Sequence, residues 1–125
     1  ISPQLALATR PDVIMATGRS DFPNQINNVL AFPYLFRGAL DCRATSFNED
    51  IKMACTTSIA RIARGDREFG RDYIVPRPSD PRLLTTLPPA VIRAAMATGI
   101  ASKRFTDAQL VDYEALLARE AYSRK

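Results

Sequence analysis

Arg19, Asp21, Asn24, Gln25, Asn27 and Asn28 fall within ten residues of one another, in the stretch ATGRSDFPNQINNVLAFP that runs from Ala16 to Pro33. A carboxamide carries two donor hydrogens and an acceptor oxygen and stays neutral at every pH, so clustered asparagines suit a carboxylate or another carboxamide as ligand. The same residues have a purely structural reading. Asn tolerates left-handed backbone angles and caps helix N-termini, so Asn24, Asn27 and Asn28 also fit as turn and cap residues. Arg19 and Asp21 are either a binding pair or, more commonly for such neighbours, a local ion pair that holds the loop's shape.

The remaining candidates are weaker. Arg37, Asp41 and Arg43 sit where an ordinary salt bridge or a subunit contact explains them as well as anion binding does. Arg61, Arg64, Arg67 and Arg71 form a basic run around a helix end, where cations complement the helix dipole. Tyr113 and Tyr122 read as packing residues. The chain has no histidine and two cysteines, Cys42 and Cys55, which excludes a Cys/His zinc site and imidazole catalysis. Nothing else resembles a secreted cysteine framework, so the expectation is two free thiols in a reducing compartment, with Cys55 packed as a small apolar residue. No Gly-rich phosphate loop, paired-carboxylate site or metal cluster can be assembled.

The elements that must position the polar stretch can be read from pattern. At 125 residues and 46% apolar content the chain fits one domain or a piece of one, with a buried core. No apolar run reaches the ~18 to 20 residues of a membrane span, and the first residues lack a signal-peptide pattern, so a soluble, cytoplasmic protein is expected. Seventeen Lys and Arg against 13 Asp and Glu give +4, short of a nucleic-acid footprint. The sequence does not open with Met.

Ser2 and Pro3 predict the cap and first residue of a short helix through Ala8. Val13, Ile14 and Met15, closed by Gly18, predict a buried parallel strand whose partners lie outside this chain. From Asn28 a helical pattern interrupted by Pro33 predicts a kink or two short helices. Ser46 and Glu49 at capping-box spacing open the strongest helix, with Ile51, Ala54, Cys55, Ser58, Ile59 and Ile62 on one face. Pro76, Pro78 and Pro81 predict an extended strap. Pro88 and Pro89 read as the opening of a helix that ends at Gly99, and Thr106 or Asp107 as the cap of a last helix carrying Leu110, Val111, Tyr113, Glu114 and Leu117.

The long, irregular polar pattern GRSDFPNQ-x-NNVL-x-FP-x-x-FRGALD resembles the C-terminal part of the cofactor domain of bacterial malic enzymes. The likeness continues through ATSFNEDIKMA, FGRDYIVPRPSDPRL and PPAVIRAAMATGIA, over roughly residues 1–102, with a less diagnostic last helix over 103–125. The resemblance implies an α/β fold, here the mostly helical C-terminal part of a Rossmann-like NAD(P)-binding domain with one or two parallel strands. It implies an enzyme that oxidises L-malate with NAD or NADP and decarboxylates the bound oxaloacetate to pyruvate, using Mg²⁺ or Mn²⁺ as Lewis acid. It implies that Asn28 donates to a malate carboxylate, and that Asn27 lies near it or near the nicotinamide carboxamide. The family's catalytic Tyr and Lys, its acidic metal ligands and its dinucleotide loop precede this motif. No catalytic or metal-binding residue therefore falls in this chain, which alone should be inactive. The residues that choose between NAD and NADP also lie upstream. Family members are dimers or larger, and some carry a phosphotransacetylase-like domain after this region.

Two readings from other classes stand beside it. One is a free-standing helical interaction module whose basic residues meet an anionic partner. The other is a truncation product that self-associates to cover an exposed strand and apolar helix faces.

Overall fold

The computed structural model describes residues 1–123. Five α-helices follow one another: α1 (Pro3–Thr9), α2 (Phe32–Asp41), α3 (Glu49–Arg64), α4 (Arg82–Ala97) and α5 (Asp107–Ser123), with a 3-10 turn at Asn28–Leu30. Helix α4 is the central post. Its Leu83, Leu87, Val91, Ile92 and Ala95 are completely buried, and α2, α3 and α5 all pack on it.

Local chemistry accounts for most helix ends. The Ser2 hydroxyl accepts from Leu5 N at 3.1 Å and Pro3 occupies the first turn, as expected, with the helix running one residue further, to Thr9. Pro33 sits in the first turn of α2, so the interrupted pattern resolves into a 3-10 turn followed by a helix. Helix α3 starts differently from the sequence pattern. The cap is Asn48, whose Oδ1 accepts from Ile51 N at 3.0 Å, and Ser46 is exposed outside the helix. A second bond explains the choice: Asn48 Nδ2 donates to Thr98 Oγ1 at 3.0 Å, tying the start of α3 to the end of α4. The buried face of α3 is the expected one, with Ile51, Cys55, Ser58 and Ile62 inside. Thr106 caps α5 reciprocally with Gln109, at 2.9 and 3.2 Å.

Helix α4 corrects a larger expectation. Pro88 and Pro89 lie inside it, not at its start. Asp80 supplies the start instead, its carboxylate accepting from Arg82 N at 2.9 Å directly before the first turn. An interior proline costs about 3 kcal/mol in an isolated helix, but both rings are buried in the core, where packing compensates. Gly99, at φ +75°, follows the helix end in the expected left-handed conformation.

The parallel strand is not found: among the described residues there is no strand. Val13 and Met15 are half-buried, Ile14 is exposed, and the stretch ends in a single parallel bridge between Thr17 and Gln25. Side chains take the acceptors a ladder would use on one edge. Arg71 donates to the carbonyls of Pro11 and Val13, and Asn24 to that of Met15. Tyr122 is also misassigned as a packing residue, being 55% exposed. Tyr113 is buried and donates its hydroxyl to Asp41 at 2.6 Å; burial, reinforced by that bond, raises its pKa. Val111 faces out.

Glycine is required where α2 crosses α4. A Cβ on Gly38 would lie 2.7 Å from Pro88 O and 2.8 Å from Val91 Cβ. Gly38→Ala should therefore lower the melting temperature, since overpacking of about 1–3 kcal/mol exceeds a helix-propensity gain of at most about 1 kcal/mol. A melt at or above that of the parent would refute the close approach.

Cys42 and Cys55 are free and buried, and burial pushes the Cys55 thiol up to about 11 from an ordinary 9.0. A raised thiol pKa means less thiolate at neutral pH, roughly a hundredfold less for that shift. Disulfide-exchange reagents at pH 7 should modify Cys55 much more slowly in the folded chain than in urea, and equal rates would contradict its burial.

Candidate functional site

The polar stretch folds into a closed loop between the extended segment and the 3-10 turn. Thr17 N donates to Asn24 O at 3.2 Å and Ile26 N donates to Thr17 O at 2.7 Å, pinching the loop at its base. Gln25 Nε2 reaches Gly18 O at 3.5 Å across the neck. At the tip, Arg19 grips Asp21 through two bonds of 2.8 and 2.6 Å and stacks over Phe22, 5.4 Å from the ring centroid. The pair is exposed and local, which is the structural role. The guanidinium holds the Asp21 carboxyl below its usual range, so it stays ionised near pH 7. Neither member of the pair is poised to move a proton at that pH.

The asparagines divide into two kinds. Asn24 is buried and entirely engaged: Nδ2 donates to Met15 O and to Arg71 O, both at 2.8 Å, while Oδ1 accepts from Ile74 N at 2.8 Å. Its backbone is left-handed, at φ 56°. Asn24 is therefore the turn residue that pattern alone suggested, with a clamp added. Asn27 and Asn28 are exposed side by side where the 3-10 turn begins. Asn27 Oδ1 accepts from Val29 N at 3.0 Å, which caps the turn and leaves the amide hydrogens facing outward. Asn28 makes no side-chain hydrogen bond to any other described residue. Both asparagines thus offer amide donors, and the Asn28 oxygen is an acceptor with no partner among the described residues.

Leu30, buried one turn later, anchors this end of the loop in the core. A cleft of about 610 Å³ opens on the loop's other side, lined by Phe22, Asn24, Gln25, Tyr73, Pro76 and Arg77. Asn27 and Asn28 do not line it, so the two functional candidates lie outside this cleft.

The other charged candidates resolve into structure. Arg37 bonds Asp41 at 2.7 Å and Glu120 at 3.0 and 3.2 Å, joining α2 to α5. Arg43 is exposed at φ 50°, and its carbonyl accepts from Ser102 N at 3.2 Å. Arg61 and Arg64 occupy the last turn of α3, where the dipole favours them. Arg71 lies beyond that helix and belongs instead to the clamp on residues 11–13, at 2.8 Å from Val13 O. That role had no local signal, because its partners are some sixty residues away in sequence. Arg82 bridges Asp66 and Asp80. No helix among the described residues is long and apolar enough to cross a membrane.

No protein-family model matches the chain. Individual proteins do. It is 52% identical over 118 residues to the NADP-dependent malic enzyme of Halomonas elongata, a match covering 84% of this chain and 28% of that protein. It is 47% identical over 120 residues to the NAD-dependent malic enzyme of Rhizobium meliloti, covering 86% and 16% respectively. Among solved structures, the malic enzyme of Entamoeba histolytica superposes with a TM-score of 0.79 at 31% identity, over 98% of this chain and 25% of that one. The chain thus spans roughly a sixth to a quarter of the length of these relatives. In sequence and in fold alike, this chain is a homologue of one segment of the malic enzymes.

Proposed function

We propose that the chain serves as the segment of an oxidoreductase that converts L-malate to pyruvate and CO₂ with NAD or NADP, and that it supplies Asn27 and Asn28 to the malate and nicotinamide site. The observation that carries this reading is the pair itself: adjacent, exposed carboxamides on an anchored turn, one of them without an internal partner. Asn28 binds a malate carboxylate through its amide hydrogens, a hydrogen bond to an ionised acceptor that costs no counter-charge. Asn27, whose oxygen caps the turn, presents its N–H groups, which suit either a carboxylate oxygen or the carbonyl of the nicotinamide carboxamide. The nicotinamide, when bound, supplies the hydride acceptor. These residues orient the substrate against it and move no proton themselves.

No group of three or more Cys, Asp or Glu that could hold a metal converges among the described residues. The donor set of this chain therefore does not fit the divalent cation that the family implies, and this segment's part is to bind and orient. The catalytic acid and base belong to the remainder of the enzyme on this reading, so the chain alone is inactive.

The Rossmann-like placement has a physical counterpart in residues 11–17. The carbonyls of Pro11, Val13 and Met15 are taken by Arg71 and Asn24, whereas no backbone group of Ile14 or Ala16 bonds another described residue. An extended stretch sealed on one edge and open on the other is suited to complete a parallel sheet contributed by the rest of the polypeptide. The same remainder would cover Phe32, Phe36 and Phe47, exposed aromatics whose rings touch one another at 6.1 and 5.2 Å between centroids. Buried free thiols suit a reducing compartment, and we place the enzyme in the cytoplasm as an oligomer.

In the complete enzyme, Asn28→Ala should lower kcat/KM for malate about 10- to 100-fold, the loss of one hydrogen bond to a charged group. The melting temperature should not change, because the side chain supports nothing inside the fold. Malate-dependent formation of reduced nicotinamide cofactor measures it, and unchanged kinetics would remove Asn28 from the site. The 125-residue chain by itself should give no such activity.

A further inference from the structure

We propose that Asn24 is a positioning residue for Asn27 and Asn28, holding the loop that presents them against residues 71–74 of the segment between α3 and α4. The inference rests on the reading of Asn28 given above and adds a residue that touches neither substrate nor cofactor.

The geometry is specific to asparagine. Both amide hydrogens are used, toward Met15 O and Arg71 O, and the oxygen accepts from Ile74 N. The three bonds reach 9, 47 and 50 residues along the chain, so one side chain joins the extended segment, the loop and residues 71–74. Aspartate at this position keeps the acceptor and loses both donors. Glutamine keeps the chemistry and places it one methylene too far out. The backbone at φ 56° is one that Asn and Gly adopt readily and most residues resist.

Transmission to the site is short. Only Gln25 and Ile26 separate Asn24 from Asn27, and both are themselves held: Gln25 Nε2 by Gly18 O, and Ile26 N by Thr17 O. A displacement at Asn24 has little slack in which to dissipate before it reaches the capped Asn27 and the unpartnered Asn28. Arg71 reinforces the same junction from the other side, since its carbonyl accepts from Asn24 while its guanidinium donates to Pro11 O and Val13 O. The structure at this point is a reciprocal clasp between two segments distant in sequence.

The test is a double-mutant cycle in the complete enzyme, using Asn24→Gly, Asn28→Ala and their combination. Glycine keeps the left-handed backbone while removing the clamp, so the comparison isolates the side chain. Asn24→Gly should lower kcat/KM for malate by on the order of 100-fold, the effect of misplacing a binding group by about an ångström. In the Asn28→Ala background the same change should lower it by no more than about 10-fold, because one of the two residues it positions is already gone and only Asn27 is left to be misplaced. Melting temperature should fall equally in both backgrounds, which separates positioning from general destabilisation. An equal kinetic loss in both backgrounds would overturn the proposal. Normal kinetics in Asn28→Ala alone would instead overturn the underlying site reading. If Asn24→Gly does not fold, Asn24→Asp serves in the same cycle with the same criterion.

Discussion

The crossing of α2 over α4 at Gly38 sets the geometry on which the rest of the molecule depends. With no side chain at position 38, the backbone of α2 lies directly on Pro88 and Val91, in the middle of the most buried helix of the chain. Close-packed interiors tolerate little play, so this contact fixes where α2 sits along α4 and how far its first turn projects. The 3-10 turn with Asn28 immediately precedes that first turn, and Leu30 fills the core between them. Precision at an exposed polar residue is thus inherited from an apolar contact ten residues away in sequence.

The other end of the polar loop is anchored by a different kind of force. Leu30 is held by exclusion of water, whereas Asn24 is held by three directional bonds to backbone groups. A buried carboxamide left unpaired would cost about 1–3 kcal/mol for each missing partner, so complete engagement matters more than the net strength of any one bond. Between these anchors the chain can present Asn27 and Asn28 to solvent without being loose. The ordering cost of the loop falls on folding, and a ligand meeting it would not bear that cost again.

How far the sequence reveals this depends on the range of the interaction. Features set by neighbours were legible: the Ser2 and Pro3 start, the break at Pro33, the buried face of α3, the Thr106 cap and the left-handed Gly99. Features set by distant partners were not. Pro88 and Pro89 carry the strongest local signal for a helix start, yet burial under α2 outweighs it and Asp80 begins the helix. Asn48 rather than Ser46 caps α3 because Thr98, at the end of α4, lies within reach at the surface. Val13 to Met15 have the composition of a strand, but the partners that would make it one are not among the described residues. The polar stretch was legible as a candidate site through its resemblance, while the separation of its asparagines into a clamp and an exposed pair required the fold.

The loop also explains why its charged residues are compatible with a role in binding a dianion. Arg19 would attract a carboxylate if it were free, and would compete with Asn28 for it. Instead its guanidinium is closed on Asp21 through two short bonds and laid over Phe22, so the loop's own cation already has its counter-charge. What remains at the exposed turn is a pair of carboxamides on an anchored backbone, with no charge to be screened by salt or altered by pH. Such donors discriminate by geometry, because a misplaced carboxylate gains nothing from simple proximity. On the proposed reading, strong attraction for the substrate comes from the rest of the enzyme, and this segment decides the orientation in which the substrate is held.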